Sequence, residues 1–118
     1  DDACNPGIKR KFHNFACKAA MIAGCDPEKF NAIHDYIFDN QEDLSDNFLK
    51  NVQVKFGLKD CFTNKEVANF IGKSIRQGDD FGLTSTPTLI INGKKIEGML
   101  SNNEMFAIFD ALLKEQKK

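Results

Sequence analysis

The chain has 118 residues, with 16 Lys and Arg against 17 Asp and Glu and a formal net charge of −1. That length fits one domain with one core, and the balanced charge leaves no basic footprint for nucleic acid or an anionic membrane surface. No apolar run approaches the roughly 20 residues that span a bilayer, and the opening DDACNPG is too polar for a signal peptide. It reads as a processed or truncated end, so an upstream segment is expected in the precursor.

Residues 7–24, GIKRKFHNFACKAAMIAG, predict a first helix, because Ile8, Phe12, Phe15, Ala16, Ala19, Ala20 and Ala23 fall on one stripe. Asp26-Pro27 restarts a helix with Asp as N-cap and Pro at the first helical position. Phe30, Ile33, Ile37 and Phe38 form its apolar face. DNQEDLSDN breaks the pattern. Ser45 or Asp46 then caps a third helix to about Lys55, with Phe48, Leu49, Val52 and Phe56 inward and Gly57 as its stop. Thr63-x-x-Glu66 is a capping-box candidate for a fourth helix. Its inner face is Val67, Phe70, Ile71, Ser74, Ile75 and Gly78.

A hairpin follows, with strands Thr88–Ile91 and Lys94–Glu97 about an Asn92-Gly93 turn, both residues of which tolerate positive φ. TLII is apolar on both faces, which suits a strand inside a sheet. A lone hairpin is marginal in water, so the sheet wants more strands than this stretch supplies. Ser101-x-x-Glu104 caps a last helix whose face is Met105, Ile108, Phe109, Leu112 and Leu113. The expected class is α+β and predominantly helical. The expected organisation is a single domain over 1–118, with a helical part at 1–78 and a β-β-α element at 79–118.

Four cysteines in so short a chain, Cys4, Cys17, Cys25 and Cys61, favour an oxidising compartment. Cys17 and Cys25 fall on one predicted helix or its end, which sets them about 12 Å apart. A bridge needs Cα atoms within about 7 Å. Two full pairings stay open: Cys4–Cys17 with Cys25–Cys61, or Cys4–Cys25 with Cys17–Cys61. One bridge plus two buried thiols is a third arrangement.

His13 and Cys17, at i and i+4 and flanked by Cys4 and Cys25, match no common zinc spacing, and no metal or cofactor is expected. His34 reads as an ordinary helix histidine. Asp79-Asp80 reads as a solvated helix end, and Lys94-Lys95 as a charged hairpin face that discourages edge pairing. Pro87 excludes Thr86 from the helical region and removes a backbone donor. An X-Pro bond is where a cis peptide is affordable, although an ordinary trans loop-to-strand proline fits the same spacing.

GLTSTPTLIINGKKIEG followed by an amphipathic helix resembles the C-terminal half of DsbA-like thioredoxin-fold proteins. CNPGIKRKFHNFACKAAMIAG and FNAIHDYIFDNQ are similar to the helical insertion of the periplasmic members, a type also found fused to vitamin K epoxide reductase-like membrane proteins. The resemblance implies an incomplete thioredoxin-like fold with a helical insertion, a C-terminal hairpin and a final helix. It implies a cis Pro87 that, with Thr86 and Ser85 beside it, holds a substrate chain against a Cys-x-x-Cys. No such motif occurs here, so no catalytic residue is carried over.

The expected function is the peptide-binding portion of a thiol–disulfide oxidoreductase, inactive alone, in the periplasm or another extracytoplasmic space. The alternative is a non-redox peptide- or protein-binding module of the same ancestry. The expected partners are an extended polypeptide bearing a disulfide or thiol and a membrane redox protein, with no nucleic acid. The open side of the first strand is expected to be covered by a second copy, a swapped segment or the chain's own helices.

Overall fold

The computed structural model describes residues 1–10 and 13–118. They form a mostly helical α+β fold in two compact units, Asp1–Gln77 and Gly78–Lys118.

The first unit opens with turns and no regular element through residue 10. The first helix, α1, spans only Ala16–Ala23. This corrects the longer helix expected over 7–24. His13 takes a φ of 57°, a left-handed conformation that a right-handed helix cannot continue through. The expected stripe position Phe12 lies outside the described residues. Cys17 is therefore the second residue of α1 rather than a mid-helix position.

A 3-10 turn at Pro27–Lys29 leads into α2 (Phe30–Asp39), and the Asp26 carboxylate accepts the Glu28 N–H at 3.1 Å. Ile33 and Ile37 are the buried face of α2. Phe30 and Phe38 are 41% and 61% exposed, contrary to expectation, because they lie a turn on either side of His34 on the outer face. His34 stacks against both rings at 5.7 and 4.6 Å.

Helix α3 (Asp46–Phe56) is capped by Ser45, whose hydroxyl accepts the Phe48 N–H at 3.1 Å. It stops at Gly57, where φ is 66° and the Leu58 N–H reaches the Gln53 carbonyl at 2.8 Å. That left-handed residue is what glycine supplies without a Cβ clash. Ile22, Ile33, Leu49, Val52 and Cys61 are fully enclosed between α1, α2, α3 and the turn at Cys61–Thr63. Tyr36 joins the edge of this core, stacked on Phe48 and edge-on to Phe56, with the Lys55 ammonium 4.9 Å over its ring.

Helix α4 spans Lys65–Asp80. Asn64, not Thr63, starts it: the Asn64 side-chain oxygen accepts the N–H groups of Glu66 and Val67 at 3.0 and 3.2 Å. Thr63 is already used in the preceding 3-10 turn, where its hydroxyl donates to the Asp60 carbonyl. Val67 is buried and Ile71 and Ile75 are half-buried, but Phe70 is 65% exposed and Ser74 is also exposed.

The second unit holds β1 (Thr88–Ile91), β2 (Lys94–Glu97) and α5 (Asn102–Gln116). The strands pair antiparallel, Thr88 opposite Glu97 and Ile91 opposite Lys94, across Asn92 and Gly93 at φ 48° and 77°. Two positive φ values suit a tight hairpin turn. α5 carries the full capping box, with Ser101 and Glu104 exchanging side-chain-to-backbone hydrogen bonds. Its half-buried residues are Met105, Ile108 and Leu112, while Phe109 and Leu113 are exposed. β1 is half-buried along its length rather than enclosed, and among the described residues its sheet has two strands.

The sulfurs form two bridges, Cys4–Cys17 and Cys25–Cys61, with Cα separations of 5.7 and 5.3 Å. This is one of the two pairings left open by spacing.

Candidate functional site

Ser85, Thr86 and Pro87 lie in one exposed loop between the end of α4 and β1. The Thr86–Pro87 peptide bond is cis. The loop is fixed from both sides by its own unit. The Thr88 hydroxyl donates back to the Ser85 carbonyl at 2.6 Å. The Gly98 N–H donates to the Pro87 carbonyl at 2.9 Å, extending the hairpin ladder one step past β2. Ahead of the loop, the Thr84 hydroxyl meets the Glu97 carboxylate at 3.3 Å, and Lys95 donates to the Gly82 carbonyl at 3.0 Å. Lys95 also lies 3.3 Å from Glu97. As an exposed ion pair this adds little stability, but it sits where it orients the carboxylate.

The register determines which backbone groups remain available. Hydrogen-bonded and non-hydrogen-bonded pairs alternate along an antiparallel ladder. Ile91–Lys94 closes the two-residue turn and Pro87 accepts from Gly98, so Leu89 faces β2 as well. Thr88 and Ile90 therefore direct their N–H and C=O groups to the outer side of β1. Among the described residues no strand pairs there. The loop thus leads directly into an apolar strand edge.

Glu97 and Lys95 were not singled out from the sequence as parts of the loop. Their signal was the Asn-Gly turn, which sets Glu97 opposite Thr88 and so beside the loop. The loop itself carries hydroxyls and backbone but no thiol, imidazole or carboxylate. Such groups can donate and accept hydrogen bonds.

The cysteine candidates lie in the first unit, all four in bridges, with no free thiol. Cys17 and Cys25 are thereby withdrawn as partners for His13 around a metal ion. His34 is hydrogen-bonded to Asp35 at 2.9 Å. Asp79 and Asp80 end α4 in exposed positions. Among the described residues no helix is long and apolar enough to cross a membrane.

A family model described as Thioredoxin matches residues 7–111. The chain belongs to the thioredoxin family. The match runs through both units and includes the loop at Thr86–Pro87 and the hairpin behind it. Comparison with curated proteins and with solved structures gives no match. Membership points to a module of the thiol–disulfide oxidoreductase kind. In this thioredoxin-family chain all four cysteines belong to the first unit and the Ser85–Pro87 loop to the second.

Proposed function

We propose that this thioredoxin-family chain is the client-docking portion of a DsbA-like thiol–disulfide oxidoreductase, with the reactive dithiol supplied by residues outside these 118. The observation that carries the reading is the exposed Ser85–Pro87 loop running into the open edge of β1 at Thr88 and Ile90. An extended polypeptide pairs with such an edge through main-chain hydrogen bonds, and its alternate side chains meet the strand face. The uncharged sequence of β1 favours an apolar client segment. Without a client, an apolar edge of this kind self-associates, and a second copy or a swapped segment is its natural cover.

The two disulfides support work in the periplasm or another extracytoplasmic space. A membrane redox protein is the partner that would reset the dithiol there. The chain alone has no Cys-x-x-Cys and so no attacking thiolate at the loop.

Titration of labelled protein with an extended, disulfide-containing peptide tests the docking step by NMR. The amides of Ser85, Thr86, Thr88 and Ile90 are expected to shift together. Shifts confined to the first unit, or none at saturating peptide, would overturn the reading.

The second reading is a peptide-binding module without redox turnover, favoured by the complete pairing of the four cysteines. The coding sequence preceding Asp1 separates the two. A Cys-x-x-Cys after an apolar strand there supports the oxidoreductase, and its absence supports the binding module.

A further inference from the structure

The two bridges have the same bond but different surroundings. Cys61 is fully enclosed in the core of the first unit, and Cys25 packs against that core while staying partly exposed, as Cys4 does. Breaking this bridge unties the end of α1 from the turn at Cys61–Thr63, whose Cys61 is itself part of the packed core. Cys17 is 6% exposed but is not a member of that core cluster, and Cys4 is partly exposed. Cys4 also lies in a stretch, residues 1–10, that contains no helix or strand.

A second observation concerns the start of α1. Its N-cap residue, Phe15, offers no side-chain hydrogen bond. The Asp1 carboxylate does so instead, accepting the Cys17 N–H at 3.2 Å across a separation of 16 residues. The same carboxylate group accepts the Ala3 N–H at 3.0 Å, which holds it in a turn beside Cys4. The bridge at Cys17 and the cap at Cys17 thus tie the same segment, residues 1–4, to the same helical residue.

We propose that Cys4–Cys17 is an exchangeable, redox-active disulfide that takes two electrons from a dithiol, while Cys25–Cys61 remains closed as the structural bridge. A thiolate of the dithiol attacks the Cys4 sulfur. The Cys4–Cys17 bond breaks, its electron pair leaves on Cys17, and a mixed disulfide forms at Cys4. The second thiol of the donor gives up its proton and attacks the donor's own bridged sulfur, releasing Cys4. The dithiol becomes a disulfide, and its two protons end on Cys4 and Cys17. Reduction unties residues 1–10 from Cys17, so α1 loses the Asp1 cap at its first turn and keeps its packed end. The proposal is independent of the Ser85–Pro87 reading, since it concerns only the first unit.

The test uses the full chain under native conditions, with graded dithiothreitol as the dithiol, acid quench, alkylation and peptide mapping. The expected result is a species labelled at Cys4 and Cys17 with Cys25–Cys61 intact, formed at least about tenfold faster than the fully reduced chain, as local opening allows. Labelling at all four positions together, or first at Cys25 and Cys61, would overturn it. With reduced glutathione in place of the dithiol, the trapped adduct is expected on Cys4, and an adduct on Cys17 would refute the direction of attack. The double variant Cys4→Ser, Cys17→Ser should keep the native circular dichroism and the second bridge. A variant that fails to fold would make the first bridge structural and defeat the proposal.

Discussion

The two units obtain their order from different sources. In Asp1–Gln77, three helices and a 3-10 turn enclose Ile22, Ile33, Leu49 and Val52, and a disulfide crosses the core at Cys61. In Gly78–Lys118 no described residue is fully buried. Phe81, Leu83, Met99, Phe106, Phe109 and Leu113 are all substantially exposed there. The hairpin and α5 nonetheless have good local signals, namely two positive φ values at the turn and a complete capping box. The contrast separates what local chemistry can specify from what burial must stabilise. Turns and caps contribute about 1 kcal/mol each, which shapes an element without holding it against unfolding.

The sharpest way to break this comparison is the same truncation in both units. Leu49→Ala empties an enclosed site and should cost about 3–5 kcal/mol in denaturant unfolding. Leu112→Ala, on the half-buried face of α5, should cost under about 1 kcal/mol, in proportion to the smaller area it hides. Equal costs would mean that the second unit is covered in solution.

Hydrogen exchange on the full chain sharpens the same point. Amides of α2 and α3 should be protected roughly a hundredfold more than those of β1, β2 and α5, which open locally. Strong protection at Thr88 and Ile90 in particular would report a strand paired on that edge. A smaller effect is expected from Ser45→Ala, which removes the cap of α3 and should lower stability by about 1 kcal/mol in the same denaturation assay.

The least effect is expected from pH. The Ser101 backbone N–H, and then its hydroxyl, hold the Glu104 carboxyl below its ordinary value. For Asp26 the Lys29 side chain is the main cause, with the Glu28 N–H adding to it. A carboxyl depressed in the folded state stabilises fully above its unfolded pKa, about 4, and loses that contribution as pH falls through the lower folded value. Acidification through that window should therefore fray the start of α5, read from the Glu104 carboxyl and the α5 amides by NMR. Glu104→Gln should remove the pH dependence there. Glu104 is exposed and Asp26 partly so, so global stability should hardly move.

Much of this was legible in the sequence because it was local. The Asn92-Gly93 turn, the Ser101–Glu104 box, the Ser45 cap and the Gly57 stop are each written within a few residues of where they act. What was not legible depended on distant partners or on a single dihedral. The stripe before Ala16 has helical spacing, yet His13 turns left-handed and Asp1 serves α1 from 16 residues away. Phe30, Phe38 and Phe70 have the hydrophobicity of core residues, but the faces nearest the packed helices are taken by Ile33, Ile37 and Val67. At the candidate site the loop itself was visible, through Thr86 and Pro87. Its fixings at Glu97, Lys95 and Gly98 needed the register of the hairpin.

The chain has no tryptophan and one tyrosine, and that tyrosine, Tyr36, is wedged between Phe48 and Phe56 under the Lys55 ammonium. Its intrinsic emission is therefore a one-sided witness. A melting curve followed by that light tracks the separation of α2 from α3 and is silent about the hairpin, so a sharp single sigmoid would say nothing of whether β1 had already come apart. An emitter introduced on the far side of Asn92-Gly93 would give that strand a signal of its own.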